Sequence, residues 1–122
     1  MMVALLLVTH LGVGSAICQT VEHIVGQSKI SLQCIEVTEV PPAEQAIRQW
    51  MNKLTAGGLI LTDLYGATPH NVACRAVAAT DAVRVLAGLN LPMVLRSLNY
   101  AHEADLATLY DIARVGARHG IQ

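Results

Sequence analysis

Apolar positions in this chain follow two rhythms: short unbroken runs, and longer stretches spaced by three and four. Val3 to Val8 is a continuous apolar run of strand length, the pattern of a strand whose sheet is covered by helices on both faces. A polar break at 9 to 15 (T-H-L-G-V-G-S) follows. Ile17, Val21, Ile24 and Val25 then recur at helical spacing, with Gly26 as a C-terminal stop. Ile30 to Val37 alternates more and reads as a less buried strand, which Pro41-Pro42 keeps from extending. From Ala43, the side chains of Ile47, Trp50, Met51 and Leu54 share one helical face, Glu44, Arg48 and Lys53 lie largely off it, and Gly57-Gly58 ends the helix. Leu59 to Thr62 is a second short apolar run, and it stops at T-D-L-Y-G-A-T-P-H-N (62 to 71), rich in turn and capping residues. Thr68-Pro69 marks a helix start, with the hydroxyl placed to cap and the proline at the first helical position; that helix runs to about Ala79. Asp81 turns the chain into a strand at Val83 to Ala87. Gly88 to Pro92 leads to a short helix carrying Met93, Val94 and Leu98, and a last helix from about Glu103 to Arg118 buries Leu106, Leu109, Ile112 and Ala113.

Strand and helix alternate throughout, which predicts an α/β fold: an open, mostly parallel, flavodoxin-like sheet of four strands in the order 2-1-3-4, with room for an extra edge strand and helices on both faces. The 122 residues make one domain, and 53% apolar against 14% charged content excludes disorder. The formal net charge of −1, with arginines scattered along the chain and only 3% aromatic residues, argues against nucleic acid. No stretch reaches the roughly 20 apolar residues of a membrane span, so no membrane insertion is expected. Cys18, Cys34 and Cys74 form an odd set without C-x-x-C spacing, as in reduced cytoplasmic thiols rather than a disulfide framework or a thiolate zinc site. Cys18 and Cys74 read as small buried hydrophobes.

In open parallel sheets, sites form beyond the carboxyl ends of strands where the strand order reverses. For the order 2-1-3-4 that point lies between strands one and three, and the residues following those strands are His10 and Asp63. A carboxylate bonded to one imidazole nitrogen fixes the tautomer and leaves the other nitrogen free as a nucleophile. Helices beginning just after His10 and after Asp63 aim free main-chain amides at the crevice, Gly12, Gly14 and Gly66 allow close approach, and Thr68 has a hydroxyl or amide to lend. A nucleophile beside an anion cradle suggests a phosphohistidine, and phosphoryl transfer by positioning and charge demands no metal or cofactor of the carrier. The bland roles are a satisfied loop histidine for His10 and a turn former for Asp63. His70, beside the helix start, is read as facing solvent, as are His23, His102 and His119.

Three segments carry a family resemblance: V-A-L-L-L-V-T-H (3 to 10), L-I-L-T-D-L-Y-G-A-T-P-H-N-V-A (59 to 73) and V-R-V-L-A-G-L-N-L-P-M-V-L-R-S-L (83 to 98). Through them the chain resembles the IIA component of the mannose family of the bacterial phosphoenolpyruvate-dependent phosphotransferase system. The resemblance implies a cytoplasmic phosphocarrier: HPr donates a phosphoryl group to the Nε2 of His10, held by Asp63 at Nδ1, and a IIB component receives it. It further implies phosphate contacts at Leu11, Gly12, Gly66, Ala67 and Thr68, and a site rim formed by Tyr65, Asn71, Asn90 and Pro92. Leu11 stands where many members carry Gly, Tyr65 where Phe or Trp is common, Ala67 where a second Gly is common, and His70 where an apolar residue is frequent. Two related readings stay open: the phosphocarrier subunit of a dihydroxyacetone kinase, and a regulatory module whose phosphorylation alters binding to a protein target. The apolar-rich composition also leaves room for a homodimer interface.

Overall fold

The structure, a computed structural model, describes residues 2–26 and 32–122. Four parallel strands, β1 (Ala4–His10), β2 (Leu32–Val37), β3 (Gly58–Thr62) and β4 (Val83–Ala87), form one sheet in the order β2-β1-β3-β4. The connecting helices are α1 (Val13–Val25), α2 (Val40–Met51), α3 (Thr68–Ala76), α4 (Leu91–Tyr100) and α5 (Leu106–His119). The α/β class and the strand order are those the residue pattern predicts. The start of the second predicted strand, Ile30 and Ser31, lies outside the described residues.

Successive side chains of a strand point to opposite faces, so an unbroken apolar run feeds two cores. In β1, Leu5 and Leu7 pack with Val21 of α1, Met93 and Val94 of α4 and Leu109 and Ala113 of α5. Leu6 and Val8 pack on the other face with Ala43, Ile47 and Trp50 of α2 and Val72, Ala73 and Ala76 of α3. β3 divides in the same way, Leu59 and Leu61 to the first core and Ile60 to the second. Each fully buried leucine or isoleucine contributes roughly 1.5–3 kcal/mol. The two strands that carry most of this burial, β1 and β3, are the central pair, which makes their ends the most firmly placed points of the sheet.

Several boundaries differ from the sequence expectation, each for a local reason. Pro41 and Pro42 do not precede the second helix but sit in its first turn, where no N–H is needed; α2 begins at Val40. α3 stops at Ala76 rather than near Ala79. α5 starts at Leu106, because the Asp105 carboxylate accepts the Thr108 N–H at 2.8 Å and caps it there. Ile24, expected on the buried face of α1, is exposed. Of the cysteines read as buried, Cys74 is exposed and Cys18 only partly buried.

Gly58 opens β3 against the ring of Trp50, the single tryptophan, with no space for a side chain between them. Gly58→Ala should therefore destabilise the protein by about 1–3 kcal/mol through overpacking. Chemical denaturation would measure the loss, and a change in native tryptophan emission would report the displaced ring.

Candidate active site

Val8 is aligned with Thr62, so the next residues of two neighbouring strands emerge side by side at one end of the sheet. From there β1 leads into α1 on one face and β3 leads towards α3 on the other, which opens a crevice between the diverging connections. His10 is the last residue of β1, two residues beyond the apolar run, and it remains paired with Val37 of β2.

Asp63 Oδ2 accepts the main-chain N–H of His10 at 2.9 Å and lies 2.8 Å from His10 Nδ1. An ionised carboxylate only accepts, so Nδ1 carries a proton, and in the neutral ring Nε2 is the nitrogen with the lone pair. The His10 side chain is 48% exposed and that of Asp63 12%, so the oriented ring faces water while its orienting group does not. Asp63 Oδ1 is buried with no hydrogen-bond partner among the described residues. Such a group costs about 1–3 kcal/mol. Burial pushes the Asp63 carboxyl up, but the main-chain and ring N–H groups of His10 outweigh it and hold the carboxyl below its ordinary value.

The start of α1 is built around Thr9. This side chain is fully buried; its hydroxyl donates to the His10 carbonyl at 2.8 Å and accepts the Gly14 N–H at 2.9 Å. The chain turns between them through Gly12, whose φ of 89° is left-handed and favours glycine. Glu36 of β2, in register with Thr9, accepts the Ser15 N–H at 2.8 Å. Hydrogen bonds from the Ser15 main chain and side chain, then from the Gly12 main chain, lower the Glu36 carboxyl. The amides expected to be free at α1 are thus largely engaged: those of Gly14 and Ser15 have protein acceptors.

On the α3 side, Gly66 (φ 81°) turns the chain towards the helix, and Asn71 fastens that turn by donating its side-chain N–H to the Gly66 carbonyl at 3.0 Å. Ala67 is the N-cap of α3, and its own N–H bonds the Leu64 carbonyl at 3.3 Å. Thr68 occupies the first helical position and Pro69 the second, so the Thr68 hydroxyl does not cap the helix as expected; it is exposed beside the turn. The Thr68 N–H, in the first turn, has no helical carbonyl to bond.

His70 does not face solvent. It is 8% exposed, with Nδ1 2.8 Å from Thr62 Oγ1 and Nε2 3.4 Å from Cys74 Sγ. The reason is its place in the first turn of α3, on the face that lies over β3. The exposed ring of Tyr65 stacks at a tilt above it, with centroids 5.1 Å apart. Asp63, Tyr65, His70, Cys74, Gly88 and Tyr110 line a cleft of about 510 Å³ beside the crevice.

Asn90 and Pro92 serve α4. Asn90 accepts the Met93 N–H at 2.9 Å and donates to the Ala117 carbonyl of α5 at 3.1 Å, while Pro92 packs against Gly120. Their loop reaches the end of β3 through the main chain, where the Leu89 N–H bonds the Thr62 carbonyl at 3.0 Å. Leu11, Leu64 and Tyr65 stand out as large exposed apolar side chains in the segments flanking the His10–Asp63 pair. Sequence reasoning missed Thr9, Glu36 and Thr62. The available signal was a threonine closing each central apolar run, since a hydroxyl buried there needs a partner.

Residues 4–114 match the family described as PTS system fructose IIA component. The mannose-specific EIIAB component of the PTS system from Escherichia coli (strain K12) is 29% identical over 103 residues, which cover 80% of this chain and 32% of that protein. The chain thus spans about a third of the length of that relative. The sorbose-specific EIIA component from Lacticaseibacillus casei is 38% identical over 55 residues, 45% of this chain and 40% of that one. Among solved structures, the mannose/sorbose specific IIA subunit from Enterococcus faecalis superposes with a TM-score of 0.84 at 25% identity, covering 100% of this chain and 94% of that one.

The lowered Asp63 carboxyl makes a signed prediction. The folded state binds this proton less readily than the unfolded state, so the pair stabilises the protein above the ordinary carboxylate value, and that stability is lost as pH falls through the depressed one. Thermal melts should show Asp63→Asn below the parent near neutral pH, with the gap closing in acid below about pH 4.

Proposed function

We propose, from the premise that this chain belongs to the PTS system fructose IIA component family and is a IIA component of mannose type, that it is a phosphocarrier working through a phosphohistidine at His10. The observation that carries the proposal is the 2.8 Å contact between His10 Nδ1 and the shielded Asp63 carboxylate, behind a half-exposed ring. Asp63 keeps the proton on Nδ1, and the Nε2 lone pair points outward as the nucleophile. Nε2 attacks the phosphorus of a phosphohistidine on HPr; the new N–P bond forms as the donor's N–P bond breaks, and the electron pair returns to the donor imidazole. No proton moves in this step. The second transfer reverses the roles: a nucleophile on a IIB component attacks the phosphorus, and the pair returns to His10 Nε2.

The phosphoryl oxygens fall to the turn before α3, where Gly66 permits close approach and Thr68 presents an amide and a hydroxyl at the positive end of a helix. Protein partners, rather than a small substrate, suit the surroundings: Leu11, Leu64 and Tyr65 expose apolar surface around a ring that projects outward. On this reading the rim excludes water while the two histidines are in line, which favours transfer over hydrolysis.

His10→Ala should take up no label from phosphoenolpyruvate in the presence of enzyme I and HPr, whereas the parent should carry one acid-labile, base-stable phosphoryl group. Asp63→Asn should fold and accept label, but on the order of 10²–10⁴ times more slowly, because the imidazole loses its tautomer and orientation. Undiminished labelling of His10→Ala would remove the assignment. Transfer by Asp63→Asn at the parent rate would reduce the carboxylate to a turn residue.

A further inference from the structure

A second nucleophile and a second imidazole meet on α3, apart from the His10–Asp63 pair. Cys74 follows His70 by four residues, one helical turn, so the two side chains leave the helix as neighbours. Cys74 Sγ lies 3.4 Å from His70 Nε2, and His70 Nδ1 lies 2.8 Å from Thr62 Oγ1 at the end of β3. The imidazole therefore sits between a thiol and a hydroxyl. It is held there, because His70 and Thr62 are buried and the Tyr65 ring stacks over the imidazole. Cys74 is the exposed one of the three cysteines, and with His70, Asp63, Tyr65 and Tyr110 it lines the cleft of about 510 Å³. Cys18 and Cys34 instead pack against the first core, where burial pushes the Cys34 thiol up to about 12. Burial also pushes the Cys74 thiol up, so at neutral pH it holds its proton and any attack by sulfur has to dispose of that proton. His70 is the group in reach. When its Nδ1–H is donated to the Thr62 hydroxyl oxygen, the Nε2 lone pair faces Sγ.

We propose that Cys74 is a base-assisted thiol site for low-molecular-weight disulfides, with His70 Nε2 as the base, Thr62 as the residue that positions it, and the cleft as the space that admits the disulfide. The Sγ–H proton passes to Nε2, and Sγ attacks one sulfur of the disulfide. The disulfide's S–S bond breaks as the new bond to Cys74 Sγ forms, and the departing thiolate takes the proton from Nε2. Thiol and disulfide thus become mixed disulfide and free thiol, with the incoming disulfide as the oxidant. The imidazolium formed beside Sγ offsets the desolvation of the thiolate. A nucleophile, a base within reach of it and a third group that orients the base are the parts such chemistry requires. The site stands on these contacts alone and holds whether or not His10 carries a phosphoryl group.

The experiment exposes the full chain to cystamine and follows the mixed disulfide at each cysteine by peptide mass mapping, in the parent and in Cys74→Ser, His70→Gln, Thr62→Ser and Thr62→Val. Cys74 should react first, and Cys74→Ser should remove that phase. His70→Gln should react at Cys74 on the order of 10-fold more slowly, because the thiol then supplies only the thiolate that its own acidity allows. Thr62→Ser keeps the hydroxyl and should match the parent, whereas Thr62→Val should slow towards the rate of His70→Gln. Imidazole nitrogen NMR of the folded parent checks the geometry without any variant: His70 should carry its proton on Nδ1 and none on Nε2. A proton on Nε2 would overturn the proposal. So would a folded His70→Gln variant whose Cys74 reacts at the parent rate, which would leave Cys74 a merely exposed thiol and His70 a packing contact. Reaction at Cys18 or Cys34 ahead of Cys74 would overturn it as well.

Discussion

One carboxylate oxygen ties the end of β1 to the end of β3. Asp63 Oδ2 receives the His10 main-chain N–H, which locates the strand end, and lies against the His10 ring Nδ1, which selects the rotamer and tautomer. The two residues are 53 positions apart, so the contact exists only because a complete strand–helix–strand–helix excursion through β2 and α2 returns the chain to the other side of β1. Shifting β3 by one residue would turn Leu59, Ile60 and Leu61 to the wrong cores and move Asp63 off the ring, so packing and site geometry are specified together.

What surrounds this contact keeps it from relaxing. Thr9 joins the end of β1 to α1 from within the core, the Thr62 hydroxyl is matched to His70 under Tyr65, and Asn71 ties the turn that follows Asp63. The bonds of Thr9 and Thr62 use hydroxyls that the sheet would otherwise leave stranded at the ends of its two most buried strands. The alternative to these partners is an unsatisfied hydroxyl in an aliphatic core, so the connections to α1 and α3 are held by the cost of leaving them. Among the described residues, the buried Oδ1 of Asp63, which has no partner there, is the exception. It is tolerated where the other oxygen takes two contacts from His10.

The central strands were readable because both faces of β1 and β3 are covered, and double burial writes itself as an unbroken apolar run. Their adjacency follows from the strand order, and the crevice from where that order reverses. The polar partners were harder to see. Thr9 and Thr62 end apolar runs, so in sequence they look like exits to solvent, whereas both are fully buried with their hydroxyls in use. His70 follows Thr68-Pro69, which advertises a helix start and says nothing about which way the third residue of that turn points; packing on β3 decides it. Pro41-Pro42 looks like a barrier in a one-dimensional pattern, yet a first turn has no hydrogen bonds for proline to break. Glu36 lies in an alternating stretch where an acidic residue reads as solvent-facing, and only the register with Thr9 brings it to α1.

The division of exposure within the pair bears on what the site can do. An ion pair buried on both sides pays desolvation twice, and a pair exposed on both sides is weak and mobile. Here the carboxylate is shielded and the imidazole is half open, so the orienting bond keeps its strength while the ring stays accessible from outside. Asp63 is ionised near neutral pH, so under the proposed function the charge that steadies the Nδ1 proton would not have to be created during transfer. On the phosphocarrier reading proposed above, the same fixed charge would also limit how tightly a phosphoryl group is retained, since a dianion on Nε2 would stand across one imidazole ring from a carboxylate. A geometry that speeds capture by alignment and discourages retention by repulsion is suited to passing a group onward.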